Sequence, residues 1–557
     1  MVQLAGINGA RLLVRSLREH GVESLFSVPG DPMGPFLEEA VEAGIDNYTI
    51  RHEQAIAMAA QAYSYVSRDI GVGAVTSGPA MTNAITGLAT AWANCWPMLL
   101  LGGSSELGKR GLGDFQELPQ VESAAPYSRW AVAVDEPRRI PWFVSEAVKR
   151  ATHGRPGPVY LDLPADVLTA SVPESEVEQH PVAPGPPRPA ADAALVERAA
   201  RALAESERPL VLIGKGAAWA DAGTEARALV EECGIPFVPS PMGKGVVPDD
   251  HPLNAAAARS LALRRADLVI LAGARFNWTF HFGRPPRFSE DVRVVQIDIE
   301  PSEIGLVRPV EAGLVGDVGV VLSQLREAAG GRVGRREEWI AELARERDRN
   351  ATQIAQLAEA PGARLNLYGM YRQINEAVGP DAVVVADGEA TMAISRVMQP
   401  NARPRERLDA GTTGCMGVGI PYAIGAQIAR PGARVVCAMG DFAAGWNGMD
   451  IETAVRYELP ILFVVANNGS VRRRPGRALS AEDFGPDDAV RYDRVMSAFG
   501  GHAEHVESAP ELRPALERAL AAQGPALVHV LIDPQARRKE QAFGWLRREG
   551  RTRYGAD

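Results

Sequence analysis

The sequence has few cysteines, no excess of positive charge and no long apolar run, and each absence excludes a class of protein. Only four cysteines occur in 557 residues, and none forms a Cys-x-x-Cys pair, so a disulfide framework or a zinc site is not expected. The formal net charge of −10 argues against nucleic acid as the main partner. The longest apolar run, "PMLLLGG", is too short to span a bilayer. We therefore expect a cytoplasmic protein with no membrane partner.

Three stretches show short apolar strands alternating with helical patterns. We predict an N-terminal domain over 1–168, a central domain over 195–330 and a third domain over 365–534. Typical strands are "GVGAVTSGP", "ADLVILAGARF" and "PILFVVANN". Strands that are apolar throughout predict parallel sheets with helices on both faces. The expected fold is α/β, with three doubly wound parallel-sheet domains.

The remaining segments connect or follow these domains. Residues 169–194 are rich in proline and predict a linker. Residues 331–364 are strongly charged and predict a connecting helix. Residues 535–557 follow the last predicted strand, and they are interpreted either as a lid over a substrate site or as a helix packed permanently on the third domain or a neighbouring subunit.

The segment 440–470 places polar residues at the ends of two predicted strands. Asp441 follows "ARVVCAMG" and Asn468 follows "PILFVVAN", with a helix-length segment between them. In an open parallel sheet, ligands bind beyond the carboxyl ends of the strands. A carboxylate and an amide oxygen suit Mg²⁺, which shares its remaining positions with phosphates. The alternative is an ordinary βαβ unit with an aspartate at a helix start and an Asn-Asn turn.

This spacing resembles the signature of the thiamine diphosphate (ThDP) enzyme family, in which Gly-Asp is followed by Asn-Asn. The resemblance implies that Asp441, Asn468 and the main-chain oxygen of Ser470 bind Mg²⁺. Phe442 departs from the family pattern, which often has a small residue at this position.

Two further segments strengthen the resemblance. In "GTTGCMGVGIPYAIGAQIA" it implies that the Gly414 carbonyl binds the cofactor's amino group and that Met416 bends the cofactor. In "RHEQAIAMAAQAY" it implies that Glu53 exchanges a proton with the pyrimidine ring. Taken in isolation, the first segment is also typical of a Gly-rich turn before a buried helix, and the second is also typical of a surface helix capped by a glutamate. The predicted cofactor-binding residues are Glu53, Pro79, Asn83, Gly388, Glu389, Gly414, Met416, Gly440, Asp441, Phe442, Ala443, Asn468 and Ser470.

Other stretches are similar to the branch of the family that contains 2-hydroxyacyl-CoA lyase and oxalyl-CoA decarboxylase. They include "GARFNWTFHFGRPPRF" and "DPQARRKEQAFGWL", and the second favours the lyase. The resemblance implies that Gln116 faces the substrate acyl group, although it is also typical of a turn. Arginine suits the phosphates of coenzyme A because its fork can bond bidentately, although a run of arginines is equally typical of a solvated surface. The predicted CoA-binding residues are Arg275, Asn277, Arg403, Arg405 and Arg407.

The resemblance implies a lyase that cleaves a 2-hydroxyacyl-CoA to formyl-CoA and an aldehyde or ketone, with ThDP and Mg²⁺ as cofactors. ADP in the central domain is a further expectation, as is a homo-oligomer, either dimer or tetramer. Glu482 and Asp483 are candidates for the base that takes the 2-hydroxyl proton. The alternatives are an oxalyl-CoA decarboxylase, an acetolactate synthase-like enzyme and a ThDP-fold protein that binds without catalysis.

Overall fold

The computed structural model of the chain describes residues 6–362, 364–469, 471, 490–535, 539, 547–548 and 551–552. The chain divides into two compact units. Unit 1 comprises Met1–Pro187, Cys415–Gly432 and Trp446–Ile461, and unit 2 comprises Arg188–Gly414, Ala433–Gly445 and Leu462–Asp557. Two segments of the predicted third domain therefore group with the N-terminal part of the chain. The domain boundaries drawn from the sequence stay predictions.

Unit 1 is built on a parallel sheet of six strands in the order β3-β2-β4-β5-β7-β6. Its central strands are fully buried, as their continuous apolar sequences predict. The strands of unit 1 are β1 (Gly6–Asn8), β2 (Ser24–Ser27), β3 (Asp46–Thr49), β4 (Val72–Val75), β5 (Met98–Ser104), β6 (Trp130–Ala133), β7 (Pro158–Pro164) and β8 (Ser171–Pro173).

The predicted linker is partly a strand. β8 lies inside 169–194 and pairs antiparallel with β1, with Ile7 opposite Val172. No pattern in the sequence marks this strand, because a three-residue strand leaves no periodicity and its partner lies far away in the chain.

Two helices of unit 1 pack closely although they are distant in sequence. Gly425 lies on Gly419–Ala429, and a Cβ at this position would come within 2.2 Å of the Ala59 carbonyl oxygen on Glu53–Ser67. The Tyr422 hydroxyl donates to Gln61 Oε1 at 3.2 Å. This contact explains why 415–432 groups with unit 1. The helices of unit 1 are Gly9–Glu19, Gly34–Glu42, Glu53–Ser67, Pro79–Asn94, Gln120–Ala124, Ile140–Thr152, Ala165–Thr169, Gly419–Ala429 and Ile451–Arg456.

Unit 2 contains two further parallel sheets. The first has the order β10-β9-β11-β12-β13 and the second has the order β15-β14-β16-β17-β19-β18. Their strands are β9 (Pro209–Ile213), β10 (Phe237–Pro239), β11 (Leu268–Ala272), β12 (Arg293–Asp298), β13 (Ala312–Val315), β14 (Val383–Asp387), β15 (Arg407–Asp409), β16 (Val435–Gly440), β17 (Ile461–Asn467), β18 (His502–Val506) and β19 (Ala526–Leu531). A short antiparallel pair, Arg547–Arg548 with Arg551–Thr552, lies in the C-terminal segment.

Both faces of the first sheet of unit 2 are covered. On β9, Val211 and Ile213 belong to one hydrophobic cluster, while Leu210 and Leu212 belong to a second. Alternate side chains of a strand point to opposite faces, so each cluster covers one face. The three sheets confirm the predicted fold class.

The helix Glu337–Glu359 lies within 331–364, the segment for which a connecting helix was predicted. In the described part of the chain, every helix is too short or too polar to cross a lipid bilayer. The helices of unit 2 are Ala193–Glu205, Lys215–Trp219, Gly223–Cys233, Arg259–Arg265, Val318–Ala329, Glu337–Glu359, Leu367–Val378, Glu389–Met398, Asp441–Ala444, Tyr492–Ala498 and Leu512–Ala521.

Candidate functional site

In unit 2, the predicted metal ligands lie at one edge of the second sheet. Asp441 follows β16 directly, and Asn468 follows β17, which is the neighbouring strand. Asp441 is only 2% exposed. The Val471 backbone N–H donates to Asp441 Oδ2 at 3.3 Å, so the chain after Asn468 returns to Asp441. Ser470, the third predicted ligand, lies outside the described residues.

The turn after β14 lies beside the Asp441 turn. Gly388 has a φ of +92°, and a Cβ there would lie 3.4 Å from the Gly440 nitrogen and 3.7 Å from the Ala443 Cβ. Glu389 is exposed and begins the helix that follows. The structure therefore brings together Gly388, Gly440 and Ala443, which were predicted separately as cofactor residues.

The residues at this edge fit a metal-bound diphosphate. A buried carboxylate and an amide oxygen form a hard-oxygen donor set, which Mg²⁺ prefers. A Cβ at Gly440 would meet no heavy atom within 4 Å, so its backbone is open to a bound group. The Phe442 side chain is 46% exposed, while Ala443 is buried.

In unit 1, Glu53 begins the helix Glu53–Ser67, and Asn83 Nδ2 donates to Glu53 Oε2 at 3.0 Å. A carboxylate in the first turn of a helix is favoured by the helix dipole. Asn83 lies one turn after Pro79, which begins the helix Pro79–Asn94. Three predicted cofactor residues of unit 1 therefore share one region.

Gln116 reaches the same region through the residues before Pro79. Ser77 Oγ donates to Gln116 Oε1 at 2.9 Å. Gly78 has a φ of +55°, and a Cβ there would lie 2.1 Å from the Gln116 carbonyl oxygen, so a larger residue does not fit. Gln116 itself has a positive φ of 56°, a conformation that is uncommon for residues other than glycine.

The predicted segment 411–429 is divided between the units after Gly414. Gly414 has a φ of +61°, and a Cβ there would meet open space. Met416 is half-buried in unit 1, next to Gly417, whose carbonyl accepts a hydrogen bond of 2.6 Å from Asn447 Nδ2.

A cavity of unit 2 contains two of the predicted CoA residues. Arg275 and Asn277 line it, together with Lys215 and Arg396. Lys215 and Arg396 were not among the predicted CoA-binding residues, because they are distant from Arg275 in the chain and only the fold brings the three together. Asp409 also lines the cavity and pairs with Arg396 at 3.1 Å.

Two further arginines increase the positive charge near this cavity. Arg259 Nη2 donates to the carbonyl of Thr279, a lining residue, at 2.5 Å. Burial and the neighbouring charges of Arg287 and Arg396 lower the pKa of Arg259 to about 9. Arg287 is 3% exposed, and its Nε and Nη1 have no hydrogen-bond partner among the described residues. Buried cations of this kind favour an anionic ligand.

The other predicted CoA arginines have protein partners. Arg403 pairs with Glu406 at 2.9 Å, and Arg405 pairs with Asp221 at 3.0 Å. Arg407 is only 1% exposed and its Nη2 donates to Ser395 Oγ at 2.9 Å. Burial of the Arg407 guanidinium within the sheet argues against the predicted contact with a CoA phosphate.

Of the predicted lid, the structure describes few side chains. Lys539 Nζ donates to Asn350 Oδ1 at 3.0 Å and to Gln353, and the Lys539 backbone N–H donates to the Tyr368 hydroxyl at 2.9 Å. Lys539 therefore contacts the connecting helix and its neighbour, rather than the cavity. The candidate bases Glu482 and Asp483 lie outside the described residues. The same holds for four residues of the predicted lid, the basic Arg537 and Arg538 and the apolar Phe543 and Trp545.

Tyr492, which was not predicted as a site residue, contacts Asp441 at the edge of the second sheet. The Tyr492 hydroxyl donates to the Asp441 carbonyl oxygen at 2.6 Å. Burial, followed by the charge of Asp441, raises the pKa of Tyr492 to about 12, so the phenol stays a donor at neutral pH. No local signal marks Tyr492, since the contact joins residues 51 positions apart.

Comparison with protein families matches three models along the chain. The "Thiamine pyrophosphate enzyme, N-terminal TPP binding domain" matches 7–123, the "Thiamine pyrophosphate enzyme, central domain" matches 196–325, and the "Thiamine pyrophosphate enzyme, C-terminal TPP binding domain" matches 386–530. Thiamine pyrophosphate is another name for ThDP, so these matches support ThDP as the cofactor.

Individual proteins match over nearly the whole chain. The chain is 38% identical to "2-hydroxyacyl-CoA lyase 1" of Mus musculus over 97% of both chains. It is 38% identical to "2-hydroxyacyl-CoA lyase" of Arabidopsis thaliana, over 95% of this chain and 96% of the relative. It is 36% identical to "Oxalyl-CoA decarboxylase" of Escherichia coli (strain K12) over 96% of both. The chain therefore belongs to the thiamine diphosphate enzyme family, near its 2-hydroxyacyl-CoA lyase and oxalyl-CoA decarboxylase members.

Proposed function

We propose that this enzyme cleaves the C1–C2 bond of a 2-hydroxyacyl-CoA. The hydroxyl-bearing carbon leaves as an aldehyde or ketone, and the thioester carbon leaves as formyl-CoA. The hydroxyl proton is removed and a proton is added to the thioester carbon, so the reaction needs no oxidant or reductant. It is reversible, since no group is lost as a gas.

The observation that carries this proposal is the cationic cavity of unit 2. Lys215, Arg275 and Arg396 line it, and the buried Arg287, whose Nε and Nη1 have no hydrogen-bond partner among the described residues, lies nearby. The protein as a whole is acidic, so this concentration of positive charge favours a phosphate-bearing ligand. Coenzyme A carries such phosphates, and so do the substrates named in the relatives.

ADP is an alternative ligand for the same cavity, since it shares a diphosphate with coenzyme A. Competition measured by calorimetry would separate the two: if ADP and coenzyme A bind together, each has its own site.

Glu53 is the group that we propose for proton exchange with the cofactor. Its Oε2 accepts a hydrogen bond from Asn83, which holds the carboxylate in one orientation. Gln116, anchored by Ser77, is proposed to contact the acyl group. ThDP supplies a carbon nucleophile and an electron sink for the bond that breaks.

The residues of unit 2 are proposed to anchor the cofactor. Asp441 and Asn468 would hold Mg²⁺ through oxygen atoms, and the backbone of Gly388, Gly440 and Ala443 would leave room for the diphosphate. A fixed anchor of this kind places the reacting atoms without cost at each turnover.

We also propose a homo-oligomer, as the family resemblance implies. The test is to mix inactive Glu53→Gln and Asp441→Ala subunits. Recovery of activity after subunit exchange supports sites shared between two chains, while no recovery argues for sites within one chain.

The decisive experiment is mass spectrometry of products from a panel of 2-hydroxyacyl-CoAs and oxalyl-CoA, with ThDP and Mg²⁺. We expect formyl-CoA with an aldehyde or ketone from the hydroxyacyl substrates, and far less of both products with Glu53→Gln. Carbon dioxide from oxalyl-CoA as the main product would instead favour a decarboxylase. No turnover of any CoA thioester would contradict the proposal.

A further inference from the structure

A series of buried polar side chains connects the core of unit 2 to the loop that carries Asn468. Asn467 ends β17, His529 lies on the adjacent strand β19, and Asp493 lies on the helix Tyr492–Ala498. All three side chains are buried. Buried polar groups of this kind are expected to be fully hydrogen-bonded, so their partners define their orientation.

The orientation of the Asn467 amide follows from two backbone contacts. The Gly469 N–H donates to Asn467 Oδ1 at 3.0 Å, and Asn467 Nδ2 donates to the Val490 carbonyl oxygen at 3.3 Å. The oxygen and nitrogen of this amide are therefore distinguished by their partners. The amide nitrogen also lies 2.9 Å from His529 Nε2, so Nε2 must accept a hydrogen bond.

The hydrogen bond from Asn467 also determines the tautomer of His529. Because Nε2 accepts, the proton of the neutral imidazole is on Nδ1. His529 Nδ1 lies 3.0 Å from Asp493 Oδ1 and donates to it. Arg491 completes the arrangement, since its Nε lies 2.8 Å from Oδ1 and its Nη2 lies 2.6 Å from Oδ2 of Asp493.

Asp493 is therefore a charged anchor for the imidazole. Burial alone would raise its pKa, but the hydrogen bonds from Arg491 and His529 outweigh burial and hold the pKa of Asp493 well below its usual range. The hydrogen bonds thus run in one direction, from Gly469 and Asn467 at the loop to Asp493.

A metal site is the alternative interpretation of this cluster. One ligand atom from each of Asp493, His505 and His529 lies within 4.8 Å of the others, and the two histidine Nδ1 atoms are 3.2 Å apart. A metal there would need the Nδ1 lone pair of His529, but that atom carries the proton. The Arg491 guanidinium also occupies both oxygens of Asp493. The hydrogen-bond pattern therefore disfavours a metal at this cluster.

We propose that His529 is a positioning residue for the predicted metal loop. The Nε2 atom of His529 accepts a hydrogen bond from Asn467 Nδ2 and so fixes the orientation of the Asn467 side-chain amide. The oxygen of the same amide accepts a hydrogen bond from the Gly469 N–H. That contact shapes the turn that follows β17 and carries Asn468, the predicted Mg²⁺ ligand. Outer residues that orient metal ligands in this way have large effects on metal affinity.

The same region also contacts the other predicted ligand. Val490 accepts from Asn467, and Tyr492, two residues later, donates to the Asp441 carbonyl. Residues 490–493 with His529 therefore tie together the ends of β16 and β17, from which both ligands project. This proposal depends on the family's cofactor, and it is independent of which acyl-CoA the enzyme uses.

The test compares two substitutions that each keep half of the imidazole's hydrogen bonds. His529→Gln places an oxygen near the Nε2 position and can still accept from Asn467. His529→Asn places an amide nitrogen near the Nδ1 position, so it keeps the Asp493 contact and loses the acceptor. Mg²⁺ affinity is measured by calorimetry at saturating ThDP, without substrate. His505→Gln is the control, since His505 contacts His529 but makes no hydrogen bond to the described loop residues Asn467, Gly469 and Val490.

We expect His529→Asn to weaken Mg²⁺ binding by about 10–100-fold, while His529→Gln and His505→Gln stay close to the wild type. The melting temperature of the apoprotein should change little in all three. If His529→Gln loses as much affinity as His529→Asn, or if neither loses any, the proposal is wrong. If all three variants melt early and the folded fraction binds Mg²⁺ normally, the role of His529 is purely structural.

A second measurement needs no variant with reduced stability. The ¹⁵N chemical shifts of His529 in the labelled wild-type apoprotein report which ring nitrogen carries the proton. We expect a protonated Nδ1 and an unprotonated Nε2. The opposite tautomer, or a doubly protonated ring at neutral pH, would overturn the proposal even if no His529 variant folds.

Discussion

The pKa values of buried carboxylates shift in opposite directions in the two units. In unit 1, burial raises the pKa of Asp162, and it raises that of Asp450 to about 6. In unit 2, the pKa values of Asp409 and Asp493 are lowered although both side chains are also buried. Burial acts in the same direction in every case, so the partners must account for the difference.

The partners in unit 1 are mostly neutral. Asp450 Oδ1 accepts from the Arg51 backbone N–H at 2.9 Å and from the Thr453 hydroxyl at 3.3 Å. Asp162 accepts from Gln120, Tyr160 and Ser104. Its one described charged partner is Arg110, whose side chain is partly exposed. Neutral donors satisfy these carboxylates without offsetting the cost of burying their charge.

In unit 2, guanidinium groups accompany the buried carboxylates. Arg396 lies 3.1 Å and Arg407 lies 3.8 Å from Asp409, and Arg491 forms a fork on Asp493. The comparison shows that paired or bidentate guanidinium contacts, as at Asp409 and Asp493, lower the pKa of a buried carboxylate, whereas the single, partly exposed Arg110 does not offset the burial of Asp162.

Different roles are proposed for the acidic cofactor residues of the two units. Unit 1 carries Glu53, which is proposed to exchange a proton. Unit 2 carries Asp441, which must stay anionic to bind a metal. The following predictions test whether proton exchange and charge anchoring are indeed separate properties of the two units.

The largest effect is expected in unit 1, from Glu53→Gln. Loss of a general acid–base group costs about 10²–10⁴-fold in rate, so kcat should fall by that amount. Mg²⁺ affinity at saturating ThDP should stay close to the wild type, because the metal ligands proposed in unit 2 are unchanged. Hydrogen–deuterium exchange at C2 of bound ThDP, followed by NMR, checks the cause directly. Near-normal exchange in this variant would contradict the role of Glu53.

In unit 2, Asp441→Asn should act on binding instead of proton exchange. The variant keeps the size of the side chain and removes its charge, so Mg²⁺ affinity should fall by more than the 10–100-fold typical of an outer residue. Saturating Mg²⁺ should restore much of the turnover, which no metal concentration should do for Glu53→Gln. Calorimetry with Mg²⁺ at saturating ThDP measures the effect, and unchanged affinity would remove Asp441 from the metal site.

The residues of the proposed metal site were easier to predict from the sequence than the residues that line the cavity of unit 2. Asp441 and Asn468 each follow an apolar run directly, so local spacing predicted their position at one sheet edge. Lys215 and Arg396 line the cavity with Arg275, but they come from separate segments that only the tertiary fold brings together.

Contacts that depend on strand order were also beyond the sequence. Asn467 meets His529 because β19 lies beside β17, although β18 comes between them in the chain. The three sheets were predictable because their strands are continuous apolar runs. The grouping of 415–432 with unit 1 was not, because it depends on close helix packing at Gly425.

A smaller effect is expected in the cavity of unit 2, from Arg275→Met. Arg275 Nη1 lies 3.2 Å from Glu303 Oε1, so this side chain is already oriented. A hydrogen bond to a charged group contributes about 1.5–3 kcal/mol, which corresponds to roughly a 10–100-fold rise in KM for the acyl-CoA. ThDP affinity should not change.

A truncated substrate shows whether the rise in KM of Arg275→Met comes from a lost contact with the nucleotide or from a change in folding. An acyl-pantetheine thioester lacks the nucleotide, so its KM should be similar in the wild type and in Arg275→Met. Equal losses for acyl-CoA and acyl-pantetheine would show that Arg275 does not contact the nucleotide end of the substrate.

The smallest effect concerns stability, and it tests the contrast between the units most directly. The raised pKa of Asp450 means that the folded protein binds this proton more tightly than the unfolded chain. Asp450 therefore contributes stability that is fully present below about pH 4, the unfolded pKa, and is lost as the pH rises through about 6. The shift corresponds to about 3 kcal/mol at most. Asp450→Asn keeps an acceptor for the Arg51 N–H and removes the charge, so the variant should gain melting temperature relative to the wild type between pH 4.5 and pH 7.

Asp409→Asn is the matched control in unit 2. Its pKa is lowered, so Asp409 stabilises the protein at neutral pH, and that stability is lost as the pH falls below about 4. The control should therefore lose melting temperature at pH 7 and approach the wild type in acid. Parallel pH curves for the wild type and Asp450→Asn would mean that Asp450 titrates alike in both states, and the contrast between the two units would not extend to their stability.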